Sequence, residues 1–529
     1  MASLSAFGPI GHPVFARLWA ASFASNVGSW TQAVGAGWLI TQLSHDPVIV
    51  SLAQVVTALP FLIVVAGAWA DVRGRRRVVV AGLTLNILSN VAIAIVTLAG
   101  ALTVPLFLAL RFSANVFGFF STPAWQALII EAVPRDEQAS AVLLNTANGY
   151  VARAAGPLLG GVLLSVYGAA STFLFNAVAT AMQLVGIWAT PSHPKAKGGL
   201  PPEPVISAVR SGFRYALASP ALRVLLPFIA LAGVAGSAAT AFLPLIAQDR
   251  FGGGALEYAT LLTCYGSGAL VSSVILPGLE RRFGAGRTLG GALLAYAAMT
   301  VSLAAVSERA VVWSWLFVGG ASATAVIAQL SAAIQNRVPD WMRARASALF
   351  QLSLSGGVAI GSLGWGLVAA WIGLGHALYG SAAALVLVCT QVPRVSRLGV
   401  LTEITIDLGP QTLWKLPETA VPISADDGPV TVTIGYRVPA TRAEAFARTI
   451  QDTGLMRLRI GALHWDVFRD AQDPEAWDEI VLFDRWADVE RLLHRMTVSD
   501  EAIERRSLAF HTGTEPPVVR LLVRTMPGA

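Results

Sequence analysis

At 529 residues, with 55% hydrophobic and only 13% charged side chains and a mean hydropathy of +0.62, the chain falls well short of the roughly 25% charge of soluble domains. A soluble globular protein is thereby excluded, and a polytopic membrane protein is expected. The formal net charge of +6 is unevenly split: residues 1–400 carry 23 bases against 11 acids and residues 401–529 carry 14 against 20, so the basic excess suits anionic lipid and not nucleic acid.

Apolar runs fall near 17–43, 47–70, 78–100, 103–131, 139–167, 169–189, 222–247, 255–278, 288–306, 310–336, 346–372 and 374–392. A bilayer crossing needs about 20 apolar residues, so twelve transmembrane helices are expected. The first run continues without an Ala-x-Ala exit, and no cleavable signal peptide is expected. Cys264 and Cys389 lie inside apolar runs and imply no disulfide framework.

Span one is unusually polar. Ser22, Ser25, Asn26, Ser29 and Gln32 recur at three- and four-residue spacing and share a face. Such a face lines a cavity or hydrogen-bonds to neighbouring helices. Gln126, Asn145, Asn148, Gln329 and Gln335 offer similar amides, and Phe119, Phe120 and Trp125 suit either an apolar substrate or ordinary packing. Between spans two and three stands Gly67-Ala-Trp-Ala-Asp71-Val-Arg-Gly74-Arg75-Arg76-Arg77, a glycine and one acid followed by a burst of arginines. Arg111 in span four and Arg153 in span five sit inside apolar runs, where a cation is expensive and faces a cavity or a partner. Snorkelling, or pairing with Glu131 or Asp71, is the structural alternative. No span carries an acid in its middle. Span five also holds Gly156-Pro157-Leu-Leu-Gly160-Gly161, which bends a helix and leaves a small-residue face.

The connection 191–221 divides the spans six and six. It opens with five prolines and becomes amphipathic around 205–217, with Ile206, Val209, Phe213 and Leu217 on one face beside Arg210 and Arg214. That pattern suits a helix lying on the membrane surface. The even-to-odd connections are rich in Arg and Lys, whereas the opposite ones carry only Arg250 and Arg309, so both termini are expected in the cytoplasm and the protein in the inner or plasma membrane.

The halves echo one another. Val133-Pro134 and Ala139-Ser140-Ala141 precede span five as Val338-Pro339 and Ala346-Ser347-Ala348 precede span eleven, and Gly284-Ala-Gly-Arg287 stands between spans eight and nine where Gly74-Arg75 stands between two and three. Two parallel six-helix repeats are a recognised transporter architecture. The expected division is 14–190 and 222–397 for the halves, 191–221 and 398–429 for linkers, and 430–525 for a soluble domain.

Twelve spans in two halves, with Gly67-x-x-x-Asp71-x-x-Gly74-Arg75-Arg76 after span two, resemble the major facilitator superfamily, apart from Trp69 and Val72 where Leu and Arg are usual. The resemblance implies a gating role for Gly67, Asp71, Gly74, Arg75 and Arg76, with Asp71 facing the positive N-terminal end of span eleven when the cytoplasmic side is closed. It likens Gly156, Pro157, Gly160 and Gly161 to the helix-bend motif of exporters and Arg111 to the arginine implicated in proton coupling, with Arg153 a second coupling candidate. Ser25, Asn26, Ser29, Gln32, Gln126, Asn145, Asn148 and Gln329 are then candidates for the substrate cavity.

Beyond Arg397 the apolarity drops. After a linker with an acidic turn at Asp426-Asp427-Gly428, strands are expected at 430–438, 462–468, 479–483 and 518–523 and helices at 488–495 and 500–510, with Thr441 and Glu444 as a capping box opening a further helix. The order βαββαβ is ferredoxin-like. The stretch from Gly461 through His464-Trp465 to Asp470, with His494-Arg495 downstream, resembles the dimeric α/β barrel proteins related to antibiotic-biosynthesis monooxygenases. Attached to such a transporter, it resembles the transmembrane secretion effector branch of the superfamily, which includes enterobactin exporters.

The expected fold is thus an all-α membrane protein of twelve helices in two six-helix halves plus a C-terminal α+β ferredoxin-like domain. No catalytic pair, metal cluster, cofactor loop or Walker A motif accompanies His464 and His494, so no cofactor is expected and the tail reads as a dimerising or regulatory module. The expected partners are a small-molecule substrate, protons, the lipid bilayer and a second copy of the chain, with no nucleic acid. The expected activity is export of a hydrophobic or amphipathic molecule, drug- or siderophore-like, by proton antiport; the rivals are solute uptake and a membrane-tethered enzyme or scaffold.

Overall fold

The computed structural model describes residues 7–58, 75–134, 136–188, 205–397, 419–493 and 495–524. They fall into two compact units: Met1–Pro194 with Leu226–Ala332 and Phe350–Thr402, and Lys195–Leu225 with Ala333–Leu349 and Glu403–Ala529.

The helices in chain order are α1 (Pro13–Leu43), α2 (Pro47–Ala58), α3 (Arg75–Leu98), α4 (Val104–Glu131), α5 (Gln138–Tyr167), α6 (Ala169–Trp188), α7 (Val205–Ala218), α8 (Pro220–Asp249), α9 (Ala255–Phe283), α10 (Ala285–Ala305), α11 (Arg309–Gln335), α12 (Asp340–Ile372), α13 (Leu374–Cys389) and α14 (Val392–Arg397). Among the described residues nine helices are long and apolar enough to cross a membrane, and Pro47–Ala58 and Val104–Phe119 are shorter apolar helices. The expected twelve therefore stand in coarser form. Helix α1 has 31 residues but does not count among the nine, having given much of its composition to Ser, Thr, Asn and Gln.

In the first unit α1 packs on α5 and α6, α3 on α4 and α6, α5 on α9, and α10 on α13. Phe15, Leu18, Val79, Trp125, Ile129 and Leu144 form a buried cluster at the end of the first six helices nearest the N-terminus. The reversals between long helices use Gly284 at φ +80° and Gly373 at φ +90°, a region that is cheap only for a residue without Cβ.

The second unit contains a four-stranded antiparallel sheet of β1 (Val430–Arg437), β2 (His464–Arg469), β3 (Ala476–Phe483) and β4 (Val518–Val523), in the order β2-β3-β1-β4. Helices α15 (Ala443–Ile460), α16 (Trp486–Leu493) and α17 (Val498–Leu508) complete it. Alternation puts Val430, Val432, Ile434 and Tyr436 into a core with Phe446, Ile450, Met456, Val481 and Phe483. The opposite face carries Phe468, Val518 and Leu522, all more than half exposed. The capping box expected at Thr441 and Glu444 does not form. Ala440–Arg442 is a 3-10 turn after Pro439, and α15 starts at Ala443 without a side-chain cap. The box stands instead at Thr497, whose hydroxyl accepts from the Asp500 amide (3.2 Å) while its own amide donates to Asp500 Oδ2 (3.0 Å).

Beneath the sheet lies a fully buried ion network. Arg457 Nε donates to Glu479 Oε1 at 3.1 Å and Nη2 to Glu504 Oε1 at 2.6 Å. Tyr436 Oη donates to Glu479 Oε2 (2.8 Å) and Trp465 Nε1 to Glu479 Oε1 (3.0 Å). Burial opposes the Arg457 cation, but Glu479 and Glu504 outweigh it and hold the guanidinium above its usual range. Burial, reinforced by Glu479, pushes the Tyr436 phenol well above its ordinary value.

Helix α7 belongs to this unit and packs on α15. The side of α7 bearing Ser211, Tyr215 and Ala216 is buried, while Phe213 and Leu217, from the expected membrane face, stay exposed. Tyr215 meets the Trp341 ring edge-on at 5.7 Å, and the same indole has Arg495 of the tail 4.3 Å and Arg345 5.6 Å from its centroid. Arg345 Nη1 also donates to Ser211 Oγ (2.8 Å), and Arg495 Nη1 to the Ile460 carbonyl (3.3 Å). Burial lifts the Tyr215 phenol to about 12. Trp341 sits in the first turn of α12, so the tail grips the start of that helix. Replacing Trp341 by Ala removes two cation–π contacts and an aromatic pair, roughly 2 kcal/mol together. Amide exchange in 205–218 of the full-length protein should accelerate about tenfold or more, and Trp341→Phe should recover most of the protection.

Candidate functional site

Helices of the first unit meet where small residues let backbones touch. On α5, a Cβ at Gly160 would lie 2.8 Å from the Thr31 carbonyl oxygen of α1, and one at Gly156 would overlap Trp30. Thr31 Oγ1 donates to the Gly156 carbonyl (3.1 Å). Pro157, which has no amide hydrogen, is accommodated inside α5. Towards α9, a Cβ at Gly161 would overlap Ala259 and one at Gly266 would overlap the Arg153 carbonyl oxygen. Gly37 of α1 likewise faces the Tyr258 hydroxyl of α9, and Gly366 of α12 faces Ser51 of α2. These contacts run from mid-helix to the end that carries the α1–α2, α5–α6, α8–α9 and α12–α13 connections. They are the close approaches that only small residues permit.

Arg153 sits on this seam. Its guanidinium carbon lies 5.3 Å from the Trp30 ring centroid of α1 and 5.2 Å from the Tyr265 ring of α9. Tyr296 of α10 donates its hydroxyl to the Gly236 carbonyl of α8 (3.0 Å). Arg153 Nε has no acceptor among the described residues. Arg111 is 8% exposed.

The other candidates divide by environment. Asn26 Nδ2 donates to Asn148 Oδ1 (2.9 Å), and Asn148 Nδ2 to the Trp19 carbonyl (3.2 Å). Gln32 is buried between amides: its Nε2 donates to Asn90 Oδ1, and its Oε1 accepts from Asn176 Nδ2 (2.6 Å). Ser29 Oγ donates to its own helix at the Ser25 carbonyl (2.9 Å), and Gln126 is exposed. Asn145 Oδ1 and both amide atoms of the buried Gln329 have no partner among the described residues. Gly67, Asp71 and Gly74, the side chain of Arg75, and the expected approach of Asp71 to span eleven lie outside the described residues. Arg76 Nη2 donates to the Trp188 carbonyl (3.4 Å).

Residue-by-residue reading missed Asn86, Asn90, Asn176, Tyr258, Tyr265 and Tyr296. The amides were visible as polar residues inside apolar runs; the tyrosines carry no signal until the helices are packed. Among the described residues no His, Cys, Asp and Glu cluster could hold a metal ion.

A family model described as transmembrane secretion effector matches residues 4–527. The chain belongs to that family. It is also 24% identical over 160 residues to a staphyloferrin A transporter of Staphylococcus aureus; the match spans 30% of this chain and less than half, 40%, of that relative. Among solved structures it is similar to the nucleoside transporter NupG, with a TM-score of 0.60 and 14% identity over 73% of this chain and 99% of that one. It is also similar to a bacterial homolog of the human lysosomal transporter Spinster, inward-facing and unoccupied, with a TM-score of 0.54 and 17% identity over 74% and 97%. At these identities the likeness is one of fold, that of the major facilitator transporters. Family and fold together make this transmembrane secretion effector a multi-pass membrane transporter and not an enzyme.

Proposed function

We propose that this transporter exports a small hydrophobic or amphipathic molecule, drug- or siderophore-like, by alternating access driven by proton antiport. The observation that carries the reading is the glycine-lined contact of α5 with α1 and α9 around Arg153, because close packing without interlocking side chains lets two rigid halves part and rejoin. The staphyloferrin A relative supports a siderophore-like cargo, and the Gly156–Gly161 pattern supports export. The reading includes twelve spans, halves at 14–190 and 222–397, both termini in the cytoplasm and the inner or plasma membrane as its location. It makes the tail a ferredoxin-like regulatory module, for which the strand order β2-β3-β1-β4 speaks, and its apolar outer face at Phe468, Val518 and Leu522 the surface for a second copy.

Everted membrane vesicles with an acidic interior test the central claim. A panel of fluorescent amphipathic compounds should include members that accumulate inside, and a protonophore should cut that accumulation about tenfold. Accumulation untouched by collapse of the gradient would sink the antiport, and transport only out of everted vesicles would reverse the direction.

A further inference from the structure

We infer that the seam around Arg153 is an anion-binding site, and that the cargo presents a carboxylate or comparable anionic group to it. The site stands on its own geometry; only the identification of its ligand with the cargo rests on the transport reading above.

Arg153 lies fifteen residues into α5, about 22 Å from the start of that helix at 1.5 Å per residue. At that depth a cation needs a counter-charge or a water-filled space. Among the described residues neither Arg153 nor Arg111 has a carboxylate within ion-pairing distance. The remaining acid near spans two and three, Asp71, stands in the connection beyond the apolar run, and no span holds an acid in its middle.

The Arg153 guanidinium lies over the Trp30 ring and over the Tyr265 ring. Ring faces satisfy its charge only in part and take none of its in-plane N–H donors, which are the donors that match a carboxylate in a two-pronged geometry. One turn earlier on α5, Gly149 has nothing within 4 Å of where its Cβ would stand, so the helix borders open space there. A further turn back, Asn145 Oδ1 has no donor among the described residues, which suits a ligand with a hydroxyl or amide beside its anionic group.

Tyr258 and Tyr265 are two turns apart on one face of α9, about 10 Å along the axis. Arg153 attends the second. A cationic cargo would meet the uncompensated Arg153 on this face; an anionic one finds a partner there.

The test uses the full-length protein with Cys264→Ser, Cys389→Ser and Gly149→Cys, in vesicles of phosphatidylcholine alone so that no anionic headgroup competes. The thiol is reacted with 2-sulfonatoethyl and 2-trimethylammonioethyl methanethiosulfonate, each rate taken relative to that with 2-mercaptoethanol. The anionic reagent should win by roughly tenfold, as expected for a cleft of one charge sign. Arg153→Lys should keep the preference and Arg153→Gln should bring the two rates to parity. A faster cationic reagent, no preference, or a preference unchanged by Arg153→Gln overturns the proposal. A second arm needs no change at Arg153: decanoate should protect the thiol and decyltrimethylammonium should not. Protection by both or by neither also overturns it. If the anion preference holds while everted vesicles export nothing, the export reading fails and the anion site remains.

Discussion

Replacing Arg457 by Met is expected to destabilise the tail by roughly 3–5 kcal/mol, a large part of the 5–15 kcal/mol that holds an ordinary domain together. The reason is an imbalance of charge and not lost packing. Glu479 and Glu504 are both fully buried, and Arg457 is the cation that both engage. With Met in its place, both buried carboxylates lose this ion pair among Phe446, Val481 and Met456, and the Tyr436 and Trp465 hydrogen bonds to Glu479 replace only a fraction of what is lost. Amide exchange measured by mass spectrometry on the full-length protein should rise at least a hundredfold over β1 and β3, since each 1.4 kcal/mol is a factor of about ten. The triple variant Arg457→Met, Glu479→Leu, Glu504→Leu should regain most of the protection, because an apolar trio of similar volume leaves no orphaned charge. Unchanged exchange in Arg457→Met would show that the network contributes nothing.

Filling the seam between the helices should have the largest effect on transport. In Gly266→Val a side chain is driven into the Arg153 carbonyl, and in Gly161→Leu into Ala259. Overpacking costs about 1–3 kcal/mol at a well-packed contact. Here it falls only on the arrangement in which α5 and α9 touch, so it acts on the balance between conformations; near 3 kcal/mol it shifts that balance about a hundredfold. Transport should drop by one to two orders of magnitude while the protein remains monodisperse in detergent. Gly278→Ala is the control: it lies on α9 like Gly266 but has nothing within 4 Å of where its Cβ would stand, and its transport should stay within about twofold of the parent. Equal loss in all three variants would mean that glycine at these positions serves helix flexibility and not close approach.

Local rules carried the reading a long way. The apolar runs anticipate α1–α6 and α8–α13 because a membrane helix must satisfy its backbone internally and so declares itself by length and composition alone. The small residues of 154–161 show a packing face before any partner is known. The alternation of Val430, Val432 and Ile434 shows a strand with one buried side. Capping was less legible: Thr441 and Thr497 both begin plausible helices, and only the turn imposed after Pro439 decides that the first forms no box.

Polar residues were harder still. Gln32 and Asn26 appear on the span-one face as equals of Ser25 and Ser29, yet the first two are engaged by Asn90, Asn176 and Asn148 from other helices, while Ser29 bonds back to its own. Spacing says which residues share a face; it does not say which other helix that face meets.

By itself, then, the sequence determined the membrane class, the order of the helices, the soluble tail and the presence of two arginines where cations are costly, because each depends on residues close together in the chain. Only the tertiary structure decided that Arg153 lies against Trp30 and Tyr265, that Arg495 reaches Trp341 and that Arg457 balances two carboxylates. Those pairings join residues 22 to 154 positions apart, and no local preference encodes them. They follow from which helix faces pack together, a choice made by small-residue fit and charge balance across the whole fold.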